Sequence, residues 1–386
     1  MRSAFRKHGS LVVIQVLVAM ANTIANSFAL IYLIREGNDY IACSVFILIS
    51  ATVPMLLVAF AAKTIVKNFT ASMSTGLMSL FGYYFALALL HGWELILVPP
   101  LLFGTYVVTF WIPYNTLIMH IASERTRGAT IGVYFLVWPL ITTIGPLIGG
   151  AIITIYGYSV MFIVAMGIIS SCLFYISGFR VLRRLRERII IPELLQSLRM
   201  NLVGKRRLEL DFEGVDRRMM YGLLAQGIQD GLFWVAVPII SFQFATSESK
   251  LSGYLSLFAL WGAVMTVALG YLSDRIKNRK GILRVGALLS AGAMMLAAYA
   301  STTDAYLGAM SIATFWFAIV PSFLFTMLLD KLERFKQKGV LIREFLLNVG
   351  RVAGASLTIM ILLFHLDLST SLVIAGATTA TIAVVK

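Results

Sequence analysis

Residues 270–280 read Gly270-Tyr271-Leu272-Ser273-Asp274-Arg275-Ile276-Lys277-Asn278-Arg279-Lys280. Four basic side chains and one carboxylate crowd a short turn between two apolar runs, 251–272 and 282–300. Each run has the roughly 20 residues that a helix needs to cross a bilayer. A charged turn between two such runs has a natural seat at the headgroups of the cytoplasmic face, where Lys and Arg are retained.

The rest of the chain repeats this pattern. Of its 386 residues, 59% are hydrophobic and 13% are charged, with a mean hydropathy of +0.87. An ordinary soluble domain carries about 25% charged residues. The composition excludes a cytosolic globular enzyme, a disordered chain and a fibrous protein, and it leaves a polytopic membrane protein. Twelve runs read as membrane-spanning helices: 11–34, 40–62, 70–91, 95–119, 129–153, 158–179, 219–242, 251–272, 282–300, 304–329, 340–364 and 369–385. The runs are continuous, unlike the alternating segments of about ten residues that make a barrel.

The net charge of +14 would point to nucleic acid in a soluble protein. Here it follows the loops. With both termini cytoplasmic, 28 of the 32 Lys and Arg residues fall in tails and loops on one side. The opposite connections hold Arg35 and Lys250 beside Glu36, Asp39, Glu94, Glu248, Asp304 and Asp367. The expected location is a plasma (inner) membrane, with lipids and a small-molecule substrate as partners, no nucleic acid, and a monomeric state. Arg2, Arg6 and Lys7 before an apolar run, with Ala19-Met20-Ala21 behind, resemble a cleavable leader, but the run stays apolar to Leu33 and reads as the first span. Cys43 and Cys172 lie inside apolar runs, so neither a disulfide framework nor a metal site is expected.

Residues 180–218 form the one long polar stretch, with eleven basic and six acidic residues. They separate an expected N-terminal six-helix bundle, 1–179, from a C-terminal one, 219–386, and read as a cytoplasmic basic linker lying against anionic headgroups. The halves share a word in the same place. Thr109-Phe110-Trp111 falls in the fourth span and Thr314-Phe315-Trp316 in the tenth, the fourth of the second half. Parallel repeats of this kind are a recurrent transporter plan.

Three stretches carry a family resemblance. The 270–280 loop resembles the G-x-L-[AS]-D-R-x-x-[GN]-R-[RK] signature of the major facilitator superfamily. Glu124-Arg125-Thr126-Arg127-Gly128 is similar to that family's loop before span five. Gly145-Pro146-Leu147-Ile148-Gly149-Gly150 is similar to the core of the antiporter motif of its drug–proton exchangers, with Gly132 at the first glycine and Ile141 where glycine is usual. The resemblance implies an all-α membrane fold of twelve helices in two bundles, with spans one, four, seven and ten lining a central cavity. It implies no cofactor and no enzymatic reaction. It also implies gating roles for Asp274, Arg275, Gly145 and Pro146. The equivalent loop of the first half, Phe60 to Asn68, lacks the aspartate and the arginine pair, and span four lacks an intramembrane arginine, so proton relay at those positions is not carried over.

Charges inside spans cost about 2.5–3.5 kcal/mol each on insertion scales and mark function. Asp230 lies about 11 residues into span seven, and Arg351 a similar distance into span eleven, which puts both near the midplane. They are expected to pair, either as a switch that binds substrate or exchanges a proton when Arg351 is released, or as a static lock. Gln226, Gln229, Asp230 and Trp234 share one face of span seven, and Gln15, Asn22 and Asn26 one face of span one. These faces, with Trp111, Tyr114 and Asn115 in span four and Trp316 in span ten, either line the cavity or hydrogen-bond helix to helix. Glu344, Asn348 and Arg351 share a face of span eleven, and Glu344 is expected to bolt an inner gate through Lys63 or Lys67, or else to pair with Arg343. The expected function is secondary active transport by alternating access, as proton-coupled efflux of a small apolar or amphiphilic solute. Import or uniport of a polar metabolite, and lipid flipping, are the alternatives.

Overall fold

The structure, a computed structural model, describes residues 2–121, 127–178, 212, 214–272, 279–332 and 336–385. Regular structure among these residues is helical. In chain order it comprises α1 (Arg2–Ala25), α2 (Ala29–Arg35), α3 (Tyr40–Lys67), α4 (Phe69–Leu89), α5 (Gly92–Ile121), α6 (Arg127–Tyr156) and α7 (Tyr158–Gly178). There follow α8 (Arg217–Ala245), α9 (Glu248–Leu272), α10 (Arg279–Ala298), α11 (Thr303–Phe317), α12 (Ile319–Lys331), α13 (Lys336–Leu363) and α14 (Ser369–Thr381). Asp39, Thr302 and Asp216 cap α3, α11 and α8 by accepting the amides of Ala42, Ala305 and Arg218. The Arg218 amide, with Lys331 alongside, holds the Asp216 carboxyl below the usual carboxylate range.

Eleven stretches among the described residues are long and apolar enough to cross a membrane, and the protein is an integral membrane protein. The run expected as a twelfth span, 369–385, holds a shorter apolar helix, Ser369–Val384. Two expected continuous helices are broken. The first span divides into α1 and α2 around a 3-10 turn at Asn26–Phe28, where the Asn26 side chain accepts a 2.6 Å hydrogen bond from Tyr83. The tenth divides into α11 and α12 at Ala318. Pro321, the third residue of α12, has no N–H to return to the Phe317 carbonyl, which explains that break.

Close approach of α8 and α13 organises the second half. Gly227 and Gly231 on α8 face Gly350 and Gly354 on α13, each pair at a four-residue spacing. A methyl group on any of the four would overlap a backbone carbonyl of the opposite helix. Small residues at this spacing let two helices touch backbone to backbone in lipid. α13 also lies along α3, and α9 along α6, so the segments before and after the basic linker meet over two long seams.

The glycines of the 145–150 stretch pack in the same way. Gly145 abuts the Thr23 side chain, Gly149 the Ile24 carbonyl, and Gly150 the Ser252 side chain of α9. One short stretch of α6 therefore touches both α1 and α9. Pro146 is buried between these contacts. The shared word of spans four and ten also has a shared local geometry. Thr109 and Thr314 each return their hydroxyl to the carbonyl four residues back. The Phe–Trp rings meet edge to face at 5.2 Å and 86° in one copy and at 5.3 Å and 90° in the other.

Substitution separates packing glycines from unencumbered ones. Gly231→Ala and Gly354→Ala are expected to lower stability by about 1–3 kcal/mol, as overpacking of a tight contact does. Gly167→Ala and Gly292→Ala, where a methyl meets nothing within 4 Å, are expected to be neutral or to gain about 0.5–1 kcal/mol. Unfolding midpoints in detergent check both pairs.

Candidate functional site

The glycine contact sets the position of the two intramembrane charges. Arg351 donates from Nη2 and Nε to Asp230 Oδ2 at 3.0 and 3.2 Å. Both side chains are 12% exposed, so the pair is largely desolvated. Two further groups hold the guanidinium. Asn348 Oδ1 accepts from Nη1 at 3.2 Å, and the Trp234 ring lies 4.4 Å from the guanidinium carbon. Nε and Nη2 both address one carboxylate oxygen, so this is not the two-oxygen fork of the strongest arginine–carboxylate pairs.

A polar row runs from this pair toward the end of the molecule that carries the basic loops. Asn348, 1% exposed, donates to the Glu344 carbonyl at 2.7 Å. Glu344 accepts from Arg343 Nη1 at 2.6 Å. The Arg343 guanidinium also lies 4.8 Å from the Phe325 ring, and its Nε is buried without a hydrogen-bond partner. Arg343 belongs to the body of α13. Glu344 takes the pairing with its sequence neighbour, and the Lys63 and Lys67 side chains lie outside the described residues. Asp274 and Arg275 also lie outside them.

On the facing side of α8, Gln226 and Gln229 are 3% and 1% exposed. The Oε1 atom of each is buried with no hydrogen-bond partner. Unpaired buried acceptors are costly. Both lie within one turn of Asp230.

The polar face of span one is used differently. Asn22 Nδ2 donates to the Val18 carbonyl and to the Tyr106 hydroxyl, which also accepts from Trp111 Nε1 at 3.0 Å. Asn26 is held by Tyr83, and Tyr84 donates to the Ala21 carbonyl. Tyr114 donates to the Leu11 carbonyl and to Gln15. Four buried tyrosines of α4 and α5 thus tie the first span into its neighbours. Asn22 through Nδ2 and Asn26 through Oδ1 thus take part in helix-to-helix hydrogen bonds. Trp111 is half-buried, with Trp138 edge-on at 5.3 Å, and Asn115 and Trp316 are half-buried.

Sequence reasoning anticipated the Asp230–Arg351 pair and the face that holds Asn348. It missed the opposed glycines and, of the four tyrosines, Tyr83, Tyr84 and Tyr106. The spacings Gly227-x3-Gly231 and Gly350-x3-Gly354 were a visible signal for the first. No spacing marks the tyrosines, which were submerged among 15 tyrosines and 25 phenylalanines. No group of three or more His, Cys, Asp or Glu that could hold a metal ion occurs among the described residues.

Comparison with known proteins agrees with this architecture. The crystal structure of the human organic anion transporter MFSD10 (TETRAN) superposes with a TM-score of 0.65 at 15% identity, covering 98% of this chain and 97% of that one. At that identity the likeness is one of fold. No curated protein matches the sequence. The family model described as Major Facilitator Superfamily matches residues 11–331. With most of its length matched and its spans and folding pattern in agreement, the chain belongs to the Major Facilitator Superfamily, whose members are secondary transporters and generally not enzymes.

Proposed function

We propose that the protein exports a small, amphiphilic solute across the plasma (inner) membrane in exchange for protons, by alternating access between two six-helix bundles, 1–179 and 219–386. The basic loops then lie in the cytoplasm and the acidic connections outside. The Asp230–Arg351 pair is the observation that carries this reading. It is the buried ion pair near the midplane, and it is seated on two helices in backbone contact. In the resting arrangement Arg351 neutralises Asp230. A solute that draws Arg351 away leaves a carboxylate in a dry site, and a lone buried charge is so unfavourable that a proton joins it. Return of Arg351 expels the proton. Gln226 and Gln229 supply acceptors for the solute, Trp234 supplies an apolar and cation-attracting wall, and the Arg343–Glu344–Asn348 row offers a polar path from the cytoplasmic side.

A second reading concerns the charge of the solute. Arg351 is a cation already seated among polar partners, and the fold is shared with an organic anion transporter. An amphiphile with a carboxylate head would replace Asp230 on Arg351 by the same geometry. A lipophilic cation would instead address Asp230 and the two glutamines.

Proteoliposomes with a pH-sensitive dye in the lumen test both points. Lipophilic cations and organic anions are offered separately under an imposed proton gradient. Proton movement that depends on one class, and that is lost in Asp230→Asn, is the expected result. Solute flux without proton movement in the unmodified protein would discard the exchange mechanism.

Stability separates a switch from a lock. Asp230→Asn strands a buried guanidinium and is expected to cost about 3–5 kcal/mol, and the double variant Asp230→Asn/Arg351→Gln is expected to recover most of that loss, because the charge penalty goes with the charge. Detergent unfolding measures both. The recovered double variant should remain devoid of coupled transport. Full coupled transport by it would assign the pair a structural role alone.

A further inference from the structure

Hydrogen bonds between described residues that cross from the segment before the basic linker to the segment after it gather at the acidic end of the molecule. Arg35, the last residue of α2, donates from Nε to Glu248 Oε1 at 2.8 Å. Glu248 is the first residue of α9. The same oxygen accepts from the Tyr158 hydroxyl at 3.1 Å, at the start of α7. The Arg35 guanidinium lies 5.0 Å from the Phe242 ring near the end of α8. One helical position away, Gln243 Nε2 donates to the Tyr40 hydroxyl at the start of α3 at 3.2 Å. These contacts join α2, α3 and α7 to the adjoining ends of α8 and α9, two helical turns or more from Asp230 along α8. A cavity of about 500 Å³ adjoins them, walled by Thr154, Gly157 and Tyr158 on one side and Ser247 to Ser249 on the other.

We propose that Arg35, Glu248 and Tyr158 form the latch that keeps the outer mouth shut, and that releasing it is the step that turns the transporter outward. The proposal rests on the alternating-access reading and on the orientation given above. Three features fit a latch better than a static brace. Its partners belong to different halves, so the bundles cannot part at this end while it holds. Its cation is 49% exposed and its carboxylate 16%. With its cation half in water, such a pair is modest and screened by salt, within the range that a transport cycle can break. One carboxylate oxygen gathers both donors, so a single event, the loss of Glu248, frees Arg35 and Tyr158 together. Arg35 is carried by α2, a helix set apart from the tyrosine-bound α1 by the turn at Asn26–Phe28.

Cysteine accessibility tests this without reference to substrate. Cys43 and Cys172, both fully buried, are replaced by alanine. Val237→Cys serves as reporter: the residue is 4% exposed and lies seven positions from Asp230, on the side toward the latch. A membrane-impermeant maleimide is added from the outside of oriented proteoliposomes. Arg35→Gln and Glu248→Gln are expected to raise the labelling rate roughly fivefold, the scale of an exposed ion pair with its ring contact. Tyr158→Phe should raise it less, and the exchange Arg35→Glu/Glu248→Arg should return it toward the unaltered rate. Lys331→Gln, which breaks the Lys331–Asp216 pair at the basic end, should leave it unchanged. Raising the ionic strength should speed labelling in the protein with its latch intact, a readout that no folding defect of a variant can confound. Unchanged labelling in Arg35→Gln and Glu248→Gln, with intact melting transitions and no effect of salt, overturns the latch and leaves the transport reading standing. Reaction of the reporter from both faces at once in the protein with its latch intact overturns alternating access, and the latch with it.

Discussion

Backbone contact between α8 and α13 is the constraint on which the rest depends. Lipid provides no hydrophobic drive for one apolar helix to seek another, so close association needs surfaces that approach until dispersion and carbonyl contacts accumulate. Gly227 and Gly231 against Gly350 and Gly354 make that surface. Once the two axes are that near, side chains at the flank of the seam have little freedom. Asp230 stands immediately before Gly231, and Arg351 immediately after Gly350. The ion pair is therefore a consequence of the glycine seam: its charges are brought within hydrogen-bond reach by residues that carry none.

The same logic separates the parts that hold from the parts that move. In the first half, three tyrosine hydroxyls reach α1, two of them at its backbone, and a fourth, Tyr83, holds Asn26 in the turn that follows, so the first span is fixed against α4 and α5. Glycines 145, 149 and 150 of α6 then settle that half on α1 and on α9. Between the halves, the seams α3–α13 and α6–α9 are long and apolar, whereas polar links between described residues appear at the acidic mouth. Apolar seams tolerate sliding and rocking, because no directional bond is lost. A directional polar cluster is either made or broken. Under the proposed alternation, the two-state element lies at the mouth and the permanent contacts at the seams.

Several readings came from the residue pattern and survived for identifiable reasons. Hydropathy located the spans because a helix of about 20 apolar residues is nearly the sole way to satisfy a backbone in lipid. Asp230 and Arg351 were visible because ionisable groups are so costly there that their mere presence is a signal. Other features were hidden. The breaks at Asn26–Phe28 and Ala318 lie inside runs whose mean hydropathy stays high, and neither a polar pair nor a proline in such a run fixes by itself whether the helix breaks, since Pro54, Pro113 and Pro146 sit inside unbroken helices. The role of Asn22 and Asn26 was ambiguous between cavity and neighbour, since helical periodicity states which residues share a face but not what the face meets. Glu344 showed the same limit: its partner in this conformation is Arg343, adjacent in sequence.

What the sequence by itself determined is the solvent of each segment and the family. Local composition fixes which residues sit in lipid, and the glycine-rich and basic loop words are contiguous, so both can be read along the chain. Only the tertiary structure decided the pairings: which glycines oppose one another, that Tyr106 gathers Asn22 and Trp111, and that Arg35 meets Glu248 across 213 positions. The physical reason is that these interactions depend on interhelical distance and rotation. Both are set by packing among all the helices at once, and no window of sequence contains that information.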